Sequence, residues 1–245
     1  TINKQEGVTS VKVNDNEFTT GQFYFEESIK IDVTVSEGYT WGNFAVSGTE
    51  PTGFNASALS QTVTMGLGNA TLTAQATIRT FTLTIDPADG LYNGSADLFE
   101  VTQNYGSTYA VLTPTREGYT FTGWSKSADF HGNLVETDTG YTYTYGVGDD
   151  TLTAQWQARR YAVNFNLNDV NFNNGSTAAT FDVTTNEDVA LKDLINKGVL
   201  TLYATYDSDY SILYTSQTGT DYVEFANLLS VIRDGYDFVK FSSNL

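Results

Sequence analysis

The stretch REGYTFTGWSKS (residues 116–127) carries a pattern that the chain repeats. Residues 37–48 read EGYTWGNFAVSG and residues 233–244 read RDGYDFVKFSSN, so Gly-Tyr-x-aromatic occurs three times, each time with a further aromatic three residues on. Glycine suits a backbone turn, and the tyrosine and the next aromatic then lie on one face of the strand that follows. The pattern therefore predicts a turn that leads into an aromatic-rich strand.

A comparison of the chain with itself finds a tandem duplication. One offset lays TLTAQA (71–76) on TLTAQW (151–156), and it also aligns the first two copies of the aromatic motif, residue 37 with residue 117. Between residues 37–80 and 117–160, 15 of 44 positions are identical without a gap. We call this constant displacement the repeat offset. Because it is kept over that length, it indicates repeated modules.

The distance from the second copy of the motif to the third is longer than the repeat offset, so additional residues must precede the third copy. We predict three modules: a first module of residues 1–79, a second of residues 80–158, and a degenerate or truncated third of residues 159–245. The junction WQARRY (156–161) is too short and too poor in Gly, Ser and Pro to be a flexible linker.

Most segments alternate with the period of two that is typical of half-buried strands. In TLTAQW, for example, Leu152, Ala154 and Trp156 share one face. Only the third module has helical patterns, in DYVEFANLLSVIRDG (221–235) and NEDVALKDLINKG (186–198). The predicted fold class is mostly β to α+β: tandem small modules in an elongated array, the third with one or two helices.

The aromatic motif is interpreted as core, because a small module has little interior and needs a few large side chains. Trp124 aligns with Phe44 and Phe241. This exchange keeps side-chain volume but not ring identity, which favours packing, although a platform for a sugar ring stays open as an alternative. The predicted structural core anchors are Tyr39, Trp41, Phe44, Tyr119, Phe121, Trp124, Trp156, Tyr236, Phe238 and Phe241.

Composition limits the function classes. The formal net charge of −17 disfavours nucleic acid and anionic membrane surfaces as partners, because both attract Lys and Arg. The absence of cysteine excludes disulfides, thiolate nucleophiles and Cys-ligated metals. No apolar run is long enough to span a membrane, and no signal peptide is recognisable, so we expect no membrane insertion and interpret the sequence as a piece of a longer chain.

Catalytic chemistry finds little support. His131, the only histidine, sits in the loop-like ADFHGN, and a solvated loop residue is the simpler interpretation. No spacing singles out a catalytic pair among the carboxylates. DVNFNNG (169–175) has oxygen ligands at alternating positions, as a calcium loop does, but lacks Gly at the sixth position and Glu at the twelfth, which favours a hairpin turn. We predict no enzyme, no cofactor and no metal site.

YAVLTPTREGYTFTGW followed by TLTAQW resembles the Listeria–Bacteroides repeat, also called the internalin B-repeat. The resemblance covers residues 81–157. Residues 1–78 resemble a divergent form, through GQFYFEESIKIDVTVSEGYTW and TVTMGLGNATLTAQA, and residues 161–245 match only at RDGYDFVKF. The resemblance implies a β-grasp-like module, carried in arrays on secreted bacterial surface proteins, with no catalytic residues to transfer.

The expected function is therefore that of a non-catalytic repeat region of a bacterial cell-surface or secreted protein. It would act as a stalk or spacer, or as an adhesive module that binds a protein or glycan at a cell surface or cell wall, where repetition multiplies weak affinity. The alternative from another class is a carbohydrate-binding module that accompanies a polysaccharide-degrading enzyme. Loss of glycan binding on mutation of one exposed aromatic would favour that alternative.

Overall fold

A computed structural model describes residues 1–167, 180–181, 183–229 and 231–232. The chain divides into two compact units, the first made of Thr1–Pro114 and Trp124–Ala154, and the second of Thr115–Gly123 and the chain from Gln155 onward. The described residues form strands and short 3₁₀ helices, without any helix of seven or more residues, so the predicted mostly-β class is confirmed.

Residues 1–79, the predicted first module, form two sheets. Its strands are β1 (Ile2–Lys4), β2 (Val8–Val13), β3 (Asn16–Glu17), β4 (Ser28–Val35), β5 (Tyr39–Gly48), β6 (Ser60–Thr64) and β7 (Ala70–Ile78). One sheet has the antiparallel order β3-β2-β4-β6. The other has the order β1-β7-β5, with β1 parallel and β5 antiparallel to β7.

Residues 80–158, the predicted second module, also form two sheets. Its strands are β8 (Thr80–Asp86), β9 (Phe99–Asn104), β10 (Thr108–Val111), β11 (Tyr119–Lys126), β12 (Asn133–Thr137), β13 (Gly140–Thr144) and β14 (Asp150–Ala158). The orders are β10-β13-β12, antiparallel throughout, and β11-β14-β8-β9, in which β8 and β14 are parallel.

Strand register repeats with the repeat offset of the sequence. Ile31 of β4 lies opposite Gln61 of β6, and Val111 of β10 lies opposite Tyr141 of β13. Each member of the second pair is displaced from its counterpart by the repeat offset, so residues at this offset occupy equivalent places in the two modules.

Each of these two modules buries its own apolar cluster, because the alternating side chains of its strands face one interior. In the first, the buried residues are Ile2, Val8, Val11, Val13, Ile29, Ile31, Phe44, Val63, Leu72 and Ala74. In the second, they are Phe81, Leu83, Ile85, Tyr92, Val111, Tyr143, Tyr145 and Leu152.

The described part of residues 159–245, the predicted third module, is again built mainly from strands. Its elements are β15 (Arg160–Asn166), β16 (Thr180–Phe181), a 3₁₀ helix (Leu191–Leu194), β17 (Ile195–Asn196), β18 (Val199–Thr205), β19 (Ile212–Tyr214), β20 (Tyr222–Glu224), a second 3₁₀ helix (Phe225–Leu229) and β21 (Val231–Ile232). The main sheet has the order β15-β18-β19-β20, with β17 also on β18. Its buried cluster contains Phe165, Leu167, Leu191, Leu200, Leu202, Ala204, Leu213, Val223 and Leu228.

The helices predicted in the third module are not confirmed. Where the pattern of 221–235 predicts one helix, the described residues form β20, a 3₁₀ helix and β21. The helical pattern of 221–235 places Tyr222, Phe225, Leu229 and Ile232 on one apolar stripe. Phe225 is 41% exposed, whereas Val223, outside that stripe, is buried opposite Leu213. In 186–198, only the four residues Leu191–Leu194 are helical, as 3₁₀. Valine and tyrosine favour the pleated sheet, and tertiary pairing overrides the helical pattern here.

Candidate functional site: an aromatic joint at the Gly-Tyr turns

The Gly-Tyr motif forms the same turn in the first and second modules. Gly38 has φ +79° and Gly118 has φ +74°, a left-handed conformation that glycine adopts without the cost of a Cβ atom. The N–H of Tyr39 donates to the carbonyl of Ser36 at 3.2 Å, and that of Tyr119 donates to the carbonyl of Arg116 at 3.2 Å. The turn therefore exposes the α-carbon of its glycine just before β5 or β11 begins.

An aromatic ring from farther along the chain lies on each of these glycines. A Cβ atom added to Gly38 would overlap the ring of Tyr105, and one added to Gly118 would overlap the ring of Tyr206. Tyr105 and Tyr39 also meet edge to face, with ring centroids 6.5 Å apart and planes at 74°. The glycine is needed here for close approach as well as for its turn.

The second pair repeats this geometry. The rings of Tyr119 and Tyr206 meet edge to face at 5.6 Å and 80°. Edge-to-face pairs are favourable because the positive rim of one ring meets the negative face of the other. The guanidinium of Arg116 adds a cation–π contact, 4.0 Å from the centroid of the Tyr119 ring.

An arginine links turn and aromatic through its backbone. The N–H of Arg79 donates to the carbonyl of Gly38 at 2.8 Å, and the carbonyl of Arg79 accepts from the N–H of Tyr105 at 2.9 Å. Arg79 is the single residue between β7 and β8. A one-residue connection whose N–H and C=O are both hydrogen-bonded has little freedom to bend.

Arg159, displaced from Arg79 by the repeat offset, plays the same part. Its N–H donates to the carbonyl of Gly118 at 2.8 Å, and its carbonyl accepts from the N–H of Tyr206 at 2.8 Å. It too is the single residue between two strands, β14 and β15. We call these two sets of four residues the first joint (Gly38, Tyr39, Arg79, Tyr105) and the second joint (Gly118, Tyr119, Arg159, Tyr206).

Acidic side chains surround the joint hydroxyls. The hydroxyl of Tyr39 donates to the carboxylate of Glu6 at 2.8 Å, and this hydrogen bond, with burial, raises the pKa of Tyr39 above its ordinary value. The hydroxyl of Tyr119 donates to Asp207 at 3.4 Å. The negative charge of Glu117 raises the pKa of Tyr206.

The predicted core anchors divide between core and joint. Phe44 is 2% exposed and lies inside the first buried cluster, with Trp41 packed beside it at 5.2 Å between centroids. Trp124, at the place equivalent to Phe44, is half-buried and packs on the second cluster, 6.2 Å from Tyr92.

The remaining anchors lie elsewhere. Tyr39 and Tyr119 lie in the joints and belong to none of the three clusters formed by the described residues. Phe121 and Trp156 are half-buried and pair with each other edge to face at 5.6 Å. The predicted anchors Tyr236, Phe238 and Phe241 lie outside the described residues.

Sequence reasoning missed four joint residues: Arg79, Tyr105, Arg159 and Tyr206. A signal existed for the arginines, because Arg79 and Arg159 are identical at the repeat offset. None existed for the tyrosines as a pair, because Tyr105 and Tyr206 do not align at that offset.

His131 lies exposed in a loop, as the sequence predicts, and a buried carboxylate holds its backbone. Asp150, whose side chain is fully buried, accepts hydrogen bonds from the backbone N–H groups of His131 (2.8 Å) and Gly132 (2.7 Å) and from the hydroxyl of Tyr143 (2.6 Å). The His131 ring, 40% exposed, lies 3.3 Å from the same carboxylate through Nδ1. The cluster fixes the loop before β12, which is a structural role.

Within the described ranges, no group of three or more His, Asp or Glu side chains is placed to hold a metal ion. The calcium-like segment 169–175 lies outside those ranges. No helix among the described residues is long and apolar enough to cross a membrane.

Comparison with known proteins agrees with the repeat pattern. A protein of Evansella cellulosilytica, described as a Gly-rich membrane protein, is 35% identical over 136 residues, which is 54% of this chain and 15% of that protein. The chain thus spans about a seventh of the length of this relative. No solved structure matches the chain. A family model, that of the Listeria–Bacteroides repeat domain, matches residues 81–155. This match confirms the resemblance that the motifs of residues 81–157 predict.

Proposed function

We propose that the chain is a non-catalytic spacer region of a bacterial cell-surface or secreted protein, in which successive repeats are locked to one another by the joints. The observation that carries the proposal is the recurrence of one joint at two successive module boundaries, with a single hydrogen-bonded arginine in place of a linker. Repeats joined by flexible linkers would collapse on one another, whereas locked repeats keep a fixed spacing.

The module boundaries 1–79, 80–158 and 159–245 belong to the same proposal. Arg79 and Arg159 stand at the two boundaries, and the buried clusters of the first two modules contain residues from one module each. The β-grasp-like topology implied by the family is likewise proposed. The parallel pairing of β1 with β7 and of β8 with β14, beside the antiparallel pairs β5–β7 and β8–β9, supports it.

The repeat family, which occurs in bacterial surface proteins, supports an extracellular or cell-surface location. The negative charge of −17 is favourable for a spacer, because like-charged repeats repel and stay soluble. An additional adhesive role would act through exposed side chains along the array and would gain from multivalency.

The spacer role is tested by asking whether the first two modules tumble together. In ¹⁵N relaxation of the full chain, we expect amides of the two modules to share one rotational correlation time. Gly38→Ala should separate them, because its Cβ overlaps the ring of Tyr105. Gly53→Ala is the matched control: Gly53 has nearly the same φ (+80°), but nothing lies within 4 Å of its added Cβ.

Separate correlation times in the unaltered chain would refute the spacer proposal. Equal behaviour of the two alanine variants would show that the ring of Tyr105 contributes nothing to the connection.

A further inference from the structure

The first module presents an aromatic tip to solvent. Tyr24 is 85% exposed and Phe25 is 58% exposed, side by side in the turn before β4. Large aromatic side chains are normally buried, and two exposed neighbours indicate a surface that meets a partner.

Backbone hydrogen bonds identify the residues of the second module that are equivalent to this aromatic tip. The N–H of Glu26 donates to the carbonyl of Met65 at 2.9 Å, and the N–H of Gly106 donates to the carbonyl of Tyr145 at 2.9 Å. Both members of the second bond are displaced from those of the first by the repeat offset. Phe25, which precedes Glu26, therefore stands where Tyr105 stands in the second module.

Two further features agree with this equivalence. The N–H of Met65 donates to the carbonyl of Glu27, as that of Tyr145 donates to the carbonyl of Ser107. Glu26 adopts φ +62°, as Gly106 adopts φ +74°. A glutamate in the left-handed region is uncommon, so this conformation of Glu26 supports a turn that the two modules share.

The third module carries the same tip. There the aromatic is Tyr206, and the residue after it, Asp207, has φ +55°. Thus an aromatic followed by a left-handed residue occurs in all three modules, and in the second and third the aromatic lies on a Gly-Tyr turn. Phe25, the equivalent aromatic of the first module, lies on no Gly-Tyr turn among the described residues.

The backbone of Phe25 also lacks the bond that completes a joint. The N–H of Tyr105 donates to the carbonyl of Arg79, and that of Tyr206 donates to Arg159. The N–H of Phe25 has no hydrogen-bond partner in the described part of the chain. Ring and N–H, the two groups that a joint uses, are therefore both available at the same tip.

We propose that Phe25 seats on the Gly-Tyr turn of a further repeat that precedes residue 1 in the polypeptide, and that its N–H donates to the carbonyl of the residue that links the two repeats. The inference rests on the joint invoked for the spacer function. The relative from Evansella, matched over 15% of its length, shows that sequence of this kind occurs inside much longer chains.

The side chains of Phe25 and Glu26 have the chemical groups needed to contact a Gly-Tyr turn. At Gly38 the atoms nearest to the glycine are Cγ, Cδ1 and Cδ2 of Tyr105, so the ring makes the contact and the hydroxyl is not required. Glu26 stands where Asp207 stands, and Asp207 accepts the hydroxyl of Tyr119. Glu26 is thus placed to accept the tyrosine hydroxyl of the turn that it meets.

Strand register fixes how such a repeat would connect. Ile2 lies opposite Leu72 in the parallel pair β1–β7, and Ile85 lies opposite Leu152 in the pair β8–β14. Leu72 and Leu152 are equivalent at the repeat offset. Ile2 therefore takes the place of Ile85, three residues beyond the repeat offset, and the last residue of a preceding repeat takes the place of Leu83.

The experiment uses the full chain with a copy of its own residues 1–83 added directly before Thr1. Amide hydrogen exchange of Phe25 is compared in the natural and extended chains. In the natural chain it should be fast. In the extended chain the carbonyl of the added Arg79 should slow it by at least about tenfold, because a hydrogen-bonded amide exchanges only when its contact opens. Phe25→Tyr should keep the protection, and Phe25→Ala should lose it.

The amide of Tyr105 separates this inference from the proposed function. Protection of Tyr105 in both chains, without protection of Phe25 in the extended chain, overturns the inference and leaves the joint intact. Loss of protection at Tyr105 as well would refute the joint itself. A second extension, with a copy of residues 80–163 before Thr1, supplies the turn of the second module, so failure of one added copy to fold does not decide the result. Unprotected Phe25 in both extensions overturns the proposal.

Discussion

At the scale of residues, the Gly-Tyr-x-aromatic motif has two structural roles, one between modules and one within a module. Its first part, Gly38 and Tyr39, receives an aromatic from the next module. Its last aromatic, Phe44, lies in the interior of its own module. The motif thus joins a core position to a docking position six residues apart, and a change at one end should act within a module while a change at the other acts between modules.

The core end is tested at Trp124, which packs on the second cluster beside Tyr92. We expect Trp124→Ala to lower the free energy of unfolding of the second module by about 2–4 kcal/mol, below the full cost of a buried tryptophan because the side chain is half-buried. Trp124→Phe should cost much less, since Phe44 fills the equivalent place. Denaturant unfolding measures both, and an alanine variant as stable as the parent would favour a sugar-binding surface over a core role.

Asp150 offers a second test. Its two carboxylate oxygens accept three short hydrogen bonds, one of them from the buried hydroxyl of Tyr143. Asp150→Asn should cost about 2–3 kcal/mol, because an amide has one accepting oxygen and turns N–H groups towards donors. Asp138→Asn, at an exposed turn of the same module, is the control and should be nearly neutral. Thermal melts of equal midpoint would show that the carboxylate is dispensable.

Buried tyrosines make the second module sensitive to alkali. Burial raises the pKa of Tyr145 to about 12, and also raises the pKa of Tyr92 and Tyr143. Between the ordinary value near 10 and the raised value, the folded state holds a proton that the unfolded state has lost. Stability should therefore be complete below pH 10 and fall as the pH rises towards 12. Melting temperatures of parent and Tyr145→Phe against pH test this: the variant should decline less steeply, and parallel curves would contradict the assignment.

At the scale of elements, the sequence was informative wherever a strand has one buried face. TLTAQW predicts a strand with Leu152 and Ala154 inside, and both are buried in β14. In the third module the same reasoning predicts a helix over 221–235, but the described residues of that segment form strands and a 3₁₀ helix. Short apolar segments can fit both the helical period and the strand period. Here the pairing of β20 with β19 determines that Tyr222–Glu224 form a strand.

The joint could be predicted only in part. The repeated Gly-Tyr pair and the repeated arginine were visible as identities at one offset. That the tyrosine faces another module, and which aromatic it meets, depends on chain reversal between β9 and β10 and between β18 and β19, which periodicity does not report. A close approach over glycine leaves no mark in the sequence except the glycine itself.

At the scale of the whole molecule, we predict that the modules fold independently, because each buries its own cluster. All residues that form or flank the second buried cluster lie between Phe81 and Leu152. A fragment of residues 80–158 should therefore fold alone and unfold in one cooperative transition, though with its joint surfaces exposed. Circular dichroism and denaturant titration measure this. A disordered spectrum would mean that the repeats depend on one another for their cores as well as for their spacing.

The central claim is that the turn of one repeat and the aromatic of the next interact directly, and a double-mutant cycle at the first joint tests it best. Tyr39→Ala, Tyr105→Ala and the double variant are compared in the full chain by denaturant unfolding. We predict a coupling energy of about 0.5–1.5 kcal/mol, the range of edge-to-face aromatic pairs. The same cycle on Tyr119 and Tyr206 should give a value of the same sign and size. Additive effects in both cycles, with no coupling, would contradict the joint.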